Sequence, residues 1–157
     1  MKKDLANWIG SADLNVFATV TFKKRIWVPD SKNYFCLLPV TQENISKTAW
    51  IFRDRIMKKC HGTRAFLNKD LPPFLVFFER DKNDRPHIHI LTSKPWNMSE
   101  QEYKNLFLST VKNLDWVYEQ IDIQFIGSQD ISNVALYSLK TGTDAFIPEA
   151  SFLPQVA

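Results

Sequence analysis

Two histidines of this chain, His87 and His89, stand two residues apart in a segment where they alternate with Ile88 and Ile90. Side chains at positions i and i+2 of a β-strand leave the same face, so the sequence predicts that both imidazoles project together while the isoleucines face a core. Two neighbouring imidazoles on a rigid surface form half of a metal site. A half-buried strand with solvated or hydrogen-bonded histidines would give the same pattern, so further ligands must decide between the two interpretations.

A carboxylate that would complete this site is Glu79, eight residues before His87 on the strand predicted to precede it. The polar residues 81–84 have the composition of a turn, which predicts an antiparallel hairpin. Residues paired across such a ladder face the same way, so pairing of Glu79 with either His87 or His89 brings the three side chains together. Two histidines and one carboxylate with open positions suit a divalent cation that also holds a substrate. The alternatives are that Glu79 is a solvated charge at a strand end, or that Asp81 is the ligand instead.

A tyrosine and a lysine three residues apart, Tyr137 and Lys140, have the side-chain types needed for nucleophilic chemistry. On a helix over residues 129–140 both lie outside the apolar sector, and the i, i+3 spacing makes them neighbours on an exposed face. A phenol beside an ammonium group is a nucleophile with an electrostatic helper. By itself the pattern is more typical of a surface tyrosine, so its meaning depends on the metal motif.

The elements that must position these residues follow from hydrophobic periodicity. Residues 26–40, which include Pro29 and Pro39, are interpreted as a long connection. The order of the remaining elements is that of an α+β fold, in which helices cover one face of a mostly antiparallel sheet and leave the other face open for the histidines. Patterns typical of strands occur at residues 16–22, 74–79, 87–92 and 119–126, and helical patterns occur at 42–60, 99–114 and 129–140. Ser99 and Glu102 have the spacing of a capping box, which predicts that the second helix begins there.

The 157 residues are expected to form one main domain over residues 16–141, with an N-terminal extension (1–15) and a C-terminal tail (142–157). Lys and Arg total 20 against 17 Asp and Glu, a small excess that weakly favours an anionic partner. The two cysteines form no paired motif, which predicts a reducing compartment. No apolar run approaches the roughly 18 residues of a membrane span. We therefore expect a soluble intracellular protein with no membrane partner, in the cytoplasm of its host cell.

Together these motifs resemble those of HUH endonucleases of the rolling-circle replication initiator type, in the class with a single catalytic tyrosine. Residues 17–22 are similar to the family's first motif, residues 86–90 to its metal motif, and Tyr137-x-x-Lys140 to its nucleophile motif. Glu79 stands where these enzymes commonly place a carboxylate ligand. The resemblance covers nearly the whole chain and implies an RRM- or ferredoxin-like fold, with a central, mostly antiparallel five-stranded sheet and helices on one face.

The resemblance implies a plasmid or viral enzyme that nicks single-stranded DNA at an origin stem-loop and later rejoins it. Tyr137 is expected to attack the scissile phosphate and to become joined to the 5′ phosphate. Lys140 would offset charge at the phosphate or favour the ionised tyrosine. His87, His89 and Glu79 are the expected metal ligands. The cofactor is expected to be Mn²⁺ or Mg²⁺, because imidazole tolerates manganese whereas magnesium prefers oxygen but is abundant in cells.

Residues around the nucleophile refine this expectation. Asn133 and Thr141 lie four residues on either side of Tyr137, so the two-tyrosine arrangement of some relatives is absent. The sequence contains no phosphate-binding loop of the P-loop type. The helicase and the polymerase that replication needs are therefore expected to be host proteins or separate proteins.

Candidate DNA contacts are Lys23, Lys24 and Arg25, which would bind phosphates, although a solvated charged turn would look the same. Trp27 and Trp96 lie in predicted loops, where they would stack on unpaired bases or pack against the protein. Two other functions stay open at this point. One is a single-tyrosine transposase or relaxase with the same chemistry, and the other is a non-catalytic RRM-like nucleic-acid-binding domain.

Overall fold

The computed structural model of the protein describes residues 2–30, 32, 34–140 and 145–154. Within these ranges the strands are β1 (Val16–Phe22), β2 (Arg25–Pro29), β3 (Phe35–Pro39), β4 (Phe74–Arg80), β5 (Pro86–Thr92) and β6 (Val117–Phe125). The α-helices are α1 (Lys2–Ser11), α2 (Gln42–Leu67), α3 (Glu100–Val111) and α4 (Ile131–Ser138), and a short 3₁₀ helix follows at Pro148–Ala150. The fold is α+β, as predicted.

Four strands form one antiparallel sheet in the order β4-β5-β1-β6, so the strand that carries both histidines lies in its interior. Strands β2 and β3 pair with each other as a separate hairpin. The expectation of five strands in one sheet is therefore wrong, and so is the interpretation of residues 26–40 as an irregular connection. Pro29 and Pro39 stand at the ends of β2 and β3, where the missing N–H groups do little harm to the ladder.

One face of the sheet packs against α2 and α3 and forms the larger core. Every second residue of β1, starting with its first, points into this core. Both helices begin at a capping box, formed by Thr41 with Asn44 and by Ser99 with Glu102, and the second was predicted from the sequence. Gly62, with a φ of 82°, interrupts α2 where the sequence predicts its end, but helical backbone resumes beyond it.

The other face is covered at one end by α1 and α4, so the expectation that helices occupy one face only is wrong. The sheet side of this second core is formed by Phe17, Leu75, Phe77 and Leu91. The buried residues opposite them come from α1, the turn after it, α4 and the residue that ends α4: Ile9, Leu14, Ile131, Ala135 and Leu139. The last helix therefore lies over the face that carries the histidines.

Helix α1 falls within the segment interpreted as an N-terminal extension, and it packs against α4. Its half-buried Leu5 and Trp8 and its buried Ile9 recur at helical spacing, a signal that the sequence analysis missed. Gly10 permits the close approach of the two helices, because a Cβ at this position would overlap the hydroxyl of Ser132.

Residues 145–154 pack along the outer edge of β4. The Ile147 N–H donates a hydrogen bond to the Val76 carbonyl (2.9 Å), and Phe152 pairs with Phe74 as an isolated antiparallel bridge. This segment satisfies backbone groups that an edge strand would otherwise expose. Thr141, at the predicted boundary between domain and tail, lies outside the described residues.

Candidate active site

The β4–β5 hairpin brings the three predicted metal ligands together. Its register pairs Glu79 with His87, which is one of the two pairings that the sequence allows. His89 lies two residues further along β5 and leaves the same face of the sheet. One ligand atom from each of these side chains lies within 4.8 Å of the other two. The local strand pattern is therefore sufficient to assemble the cluster.

One oxygen of the Glu79 carboxylate links the two imidazoles. Its Oε2 lies 2.7 Å from His89 Nε2 and 3.3 Å from His87 Nε2. The His87, His89 and Glu79 side chains are 12%, 6% and 11% exposed, respectively. The three groups are therefore shielded from water and depend on one another for hydrogen bonds, since a buried polar group without a partner is costly.

The neighbouring strand β1 fixes the orientation of His89. Thr19 stands opposite His89 in the β1–β5 ladder, and its Oγ1 lies 3.0 Å from Nδ1. The Phe17 ring stacks on the same imidazole with centroids 5.2 Å apart. A hydroxyl can donate or accept a hydrogen bond, so Thr19 can pair with Nδ1 in either tautomer and leave Nε2 available to a cation. Neither residue was predicted as part of the site, although both lie in the motif at residues 17–22.

Helix α4 places Tyr137 against this cluster. The Tyr137 ring contacts the His89 ring edge to face, with centroids 5.7 Å apart. Lys140, just beyond the helix end, lies with its Nζ 4.2 Å from the centre of the Tyr137 ring. The same ammonium forms an ion pair with Oε1 of Glu79. The structure thus joins all five residues of the two predicted motifs in one contiguous group.

Burial and neighbouring charges shift the pKa values of three groups in this cluster, Glu79, Lys140 and His89. Burial by itself raises the pKa of Glu79, but hydrogen bonds from Lys140, His89 and His87 together outweigh burial and lower the pKa to about 2. The carboxylate in turn raises the pKa of Lys140, with a smaller contribution from Tyr137. Burial lowers the pKa of His89, although the hydrogen bond to Glu79 has the opposite effect. The lowered pKa favours the neutral imidazole. A neutral imidazole is the form that binds a metal ion.

The donor set fits a divalent cation. Two imidazole nitrogens and one carboxylate oxygen converge from one side, and Lys140 occupies the other carboxylate oxygen. A set of two histidines and one carboxylate holds first-row divalent ions and leaves positions for substrate. Thr19 supplies the outer hydrogen bond that metal-bound histidines usually have.

The three cations predicted to contact DNA follow β1 at the end of the sheet where Thr21 pairs with His87. Lys23 Nζ donates to the Asp115 carbonyl (3.0 Å), which ties it to the loop before β6. Lys24 Nζ donates to the Asn83 carbonyl in the β4–β5 turn (2.7 Å). Arg25 is the first residue of β2 and is exposed. Lys23 and Lys24 therefore both hold a backbone carbonyl of a neighbouring loop, and Lys24 and Arg25 are exposed at the surface.

Comparisons of the chain with protein-family models, with curated proteins and with solved structures give no significant match. The helices within the described part of the chain lack the combination of length and apolar character that crossing a membrane requires.

Proposed function

We propose that this protein is a metal-dependent endonuclease that nicks and rejoins single-stranded DNA through a covalent bond to Tyr137, and that it initiates rolling-circle replication. The observation that carries the proposal is the contact of the Tyr137 ring with His89, within a cluster that also contains His87, Glu79 and Lys140. A tyrosine that served only as surface packing would have no need of a neighbouring metal site.

In the nicking step, the Tyr137 oxygen attacks the phosphorus of the scissile phosphodiester and the phenol loses its proton. A bond forms between phosphorus and the tyrosine oxygen, and the bond between phosphorus and the 3′ oxygen breaks. The 3′ oxygen leaves with the bonding electrons and takes up a proton, which gives a free 3′ hydroxyl. In the joining step the oxygen of a 3′ hydroxyl forms a bond to the phosphorus of the phosphotyrosine and loses its proton. The bond between phosphorus and the tyrosine oxygen breaks, and the tyrosine regains a proton.

The chain's own residues have separate tasks in these steps. Lys140 is placed to offset charge at the phosphate, because its ammonium lies beside the Tyr137 ring. Glu79 holds Lys140 through one oxygen and faces the histidines with the other. A divalent cation bound by His87, His89 and Glu79 would polarise the phosphate and stabilise charge on the leaving oxygen. Mn²⁺ and Mg²⁺ are the cations to test first.

The decisive experiment incubates the protein with a labelled library of single-stranded DNA and Mn²⁺ or Mg²⁺. We expect a covalent protein–DNA adduct that mass spectrometry maps to Tyr137. Tyr137→Phe removes one oxygen and barely changes volume, so it should eliminate the adduct while folding and DNA binding survive. Tyr103→Phe, at a buried tyrosine of α3 outside the cluster, is the control and should retain the adduct.

The same experiment separates the alternatives. A nucleotide attached to any residue other than Tyr137 would overturn the mechanism even if cleavage occurred. Binding of DNA with no adduct under either cation would favour a non-catalytic nucleic-acid-binding domain. Selection of transposon ends rather than an origin stem-loop from the library would indicate a transposase or relaxase that uses the same chemistry.

A further inference from the structure

The β2–β3 hairpin exposes large apolar side chains to water. Trp27 and Phe35 are 66% and 68% exposed, and Tyr34 between the strands is also exposed. All five residues of β3 are exposed, including two leucines. Monomeric proteins rarely leave such contiguous apolar surface uncovered unless it serves binding. The hairpin is therefore a candidate recognition element.

One face of this hairpin combines aromatic rings with a cation. Residues alternate between faces along a strand, so Arg25 and Trp27 share a face of β2. The register pairs Trp27 with Leu37 and Pro29 with Phe35, which places the Phe35 ring on the same face. An arginine followed by two exposed aromatic rings matches the needs of a strand with charged phosphates and flat bases.

A cleft of about 550 Å³ adjoins the first residue of the hairpin. The described residues that line it carry three cations and no carboxylate: Lys24, Arg25, Asn83, Arg85 and Tyr118. Asp81 pairs with Nε of Arg85 (2.9 Å) from outside this lining. Lys24 donates to the Asn83 carbonyl, which connects the start of the hairpin with the β4–β5 turn. The cleft thus presents positive charge beside a tyrosine ring.

This cleft lies at the metal end of the sheet. Arg85 stands two residues before His87, and Lys24 stands three residues after Thr21, the partner of His87 in the ladder. Two residues of extended chain span about 7 Å, roughly the spacing between neighbouring phosphates of a nucleic-acid strand. A strand with one phosphate at the metal site would therefore pass the cleft within one or two nucleotides.

We propose that the cleft and the aromatic face of the β2–β3 hairpin bind single-stranded DNA that flanks the scissile phosphate, an assignment that rests on the proposed function for the class of its ligand. Lys24, Arg25 and Arg85 contact phosphates, and Trp27 and Phe35 stack on unpaired bases. Charge favours this occupant over a second copy of the chain, because a two-fold interface through the hairpin would bring two sets of the same cations together.

Binding is measured in chelator, so that no cleavage occurs, with a labelled single strand of mixed sequence and with its duplex. Trp27→Ala is expected to weaken single-strand binding by about 5-fold to 100-fold, the range usual for loss of one stacked base. Arg25→Ala should reduce the slope of log affinity against log salt by about 0.7, the value for one phosphate contact on a single strand. Duplex should bind more weakly than the single strand and respond little to Trp27→Ala.

Matched controls come from the same chain. Trp96 is 95% exposed in the loop after β5, at the opposite end of that strand from His87, and Arg64 is exposed near the end of α2. Trp96→Ala and Arg64→Ala should bind the single strand as the unaltered protein does. Circular dichroism and thermal melting of each variant establish that it is folded. If Trp27→Ala does not fold, Phe35→Ala tests the stacking of bases on the hairpin instead.

Two outcomes would overturn the inference. One is that Trp27→Ala, Phe35→Ala and Arg25→Ala bind the single strand no differently from the controls. The other is that sedimentation finds a dimer that Trp27→Ala dissociates while single-strand affinity is unchanged, which would assign the hairpin to self-association. If either outcome were found together with an adduct at Tyr137, the DNA-binding role of the hairpin would be wrong and the proposed nicking activity would stand. If single-strand binding depended on the hairpin but no adduct formed, the proposed nicking activity would be wrong and the DNA-binding role of the hairpin would stand.

Discussion

At the residue scale, the carboxylate of Glu79 is shared between two tasks. Its Oε1 pairs with Lys140 and its Oε2 faces both histidines. The Glu79 side chain therefore connects Lys140, beside the candidate nucleophile, with the two histidines. A change in the charge of Glu79 should alter its interactions with both.

The stability of the metal-free protein should depend on this ionisation. The pKa of Glu79 is lowered from 4.5 to about 2, so its stabilising effect is fully present above pH 4.5 and is lost as pH falls through about 2. The shift corresponds to about 3 kcal/mol. Urea unfolding in chelator should show that Glu79→Gln is less stable near neutral pH and that this deficit shrinks across that acidic range.

The control for this measurement is Glu119→Gln, which removes the same charge from an exposed position in β6. Its effect on the free energy of unfolding should be small, because the side chain is exposed. A deficit of Glu79→Gln that persisted unchanged to pH 2 would contradict the proposed coupling.

Thr19 is expected to act through His89 rather than to touch a cation. Thr19→Val keeps the shape of the side chain but removes the hydroxyl that pairs with Nδ1. Loss of such an outer hydrogen bond commonly lowers metal affinity about 10–100-fold, and titration calorimetry with Mn²⁺ should find a decrease of that order. Thr19→Ser restores the hydroxyl and should recover most of the affinity. Equal affinities for Thr19→Val and the unaltered protein would exclude this positioning role.

At the scale of elements, α4 has to satisfy two requirements at once. Its buried residues, such as Ala135, pack on the second core, while Tyr137 projects toward His89. The helix is only eight residues long, so its placement depends on packing against the sheet and against α1 rather than on its own helical stability. The contact between α1 and α4 should therefore influence where Tyr137 lies.

The closest approach of these two helices can be tested by a double-mutant cycle. Gly10→Ala places a Cβ against the Ser132 hydroxyl, whereas the Ser132 Cβ lies at an ordinary distance of 3.6 Å. Alanine also suits a helix better than glycine by roughly 0.5–1 kcal/mol. Gly10→Ala should therefore stabilise the protein in a Ser132→Ala background and do so less, or destabilise it, when Ser132 is present. A coupling free energy below about 0.5 kcal/mol by urea unfolding would mean that the contact is not tight.

At the scale of the whole molecule, a bound cation should stabilise the folded state, because the three ligands come together only when the β4–β5 hairpin is formed. Free Mn²⁺ at 100 times its dissociation constant should add about 2.7 kcal/mol to the free energy of unfolding. Protons compete for the imidazoles, and the pKa of His89 is lowered from 6.5, so competition at this residue begins below pH 6.5 and the added stability should then decline.

This prediction is checked by thermal and urea unfolding with and without Mn²⁺. The double variant His87→Ala/His89→Ala should show no stabilisation by the cation, and chelator should reverse the effect in the unaltered protein. The same variant should lose cleavage yet keep much of its affinity for single-stranded DNA, since phosphate contacts come from elsewhere. Equal stabilisation of both proteins by Mn²⁺ would place the cation at another site.

The sequence was most informative where the relevant contacts are local. The alternation of His87 and His89 with isoleucines and the polar turn before them predicted a hairpin, and the hairpin alone brings Glu79 to His87. The capping box at Ser99 and the limits of β1 were predicted for the same reason, since each depends on residues within one element. The β2–β3 hairpin was missed because its prolines suggested a loop.

Contacts between distant elements were decided by the tertiary structure. Tyr137 lies 48 residues after His89, and Thr19 lies 70 residues before it, so no periodic pattern relates them. They meet because α4 packs on the apolar end of one sheet face and because β1 inserts between β5 and β6. That packing depends on side chains from several elements filling one core together, which is a property of the assembled fold rather than of any segment.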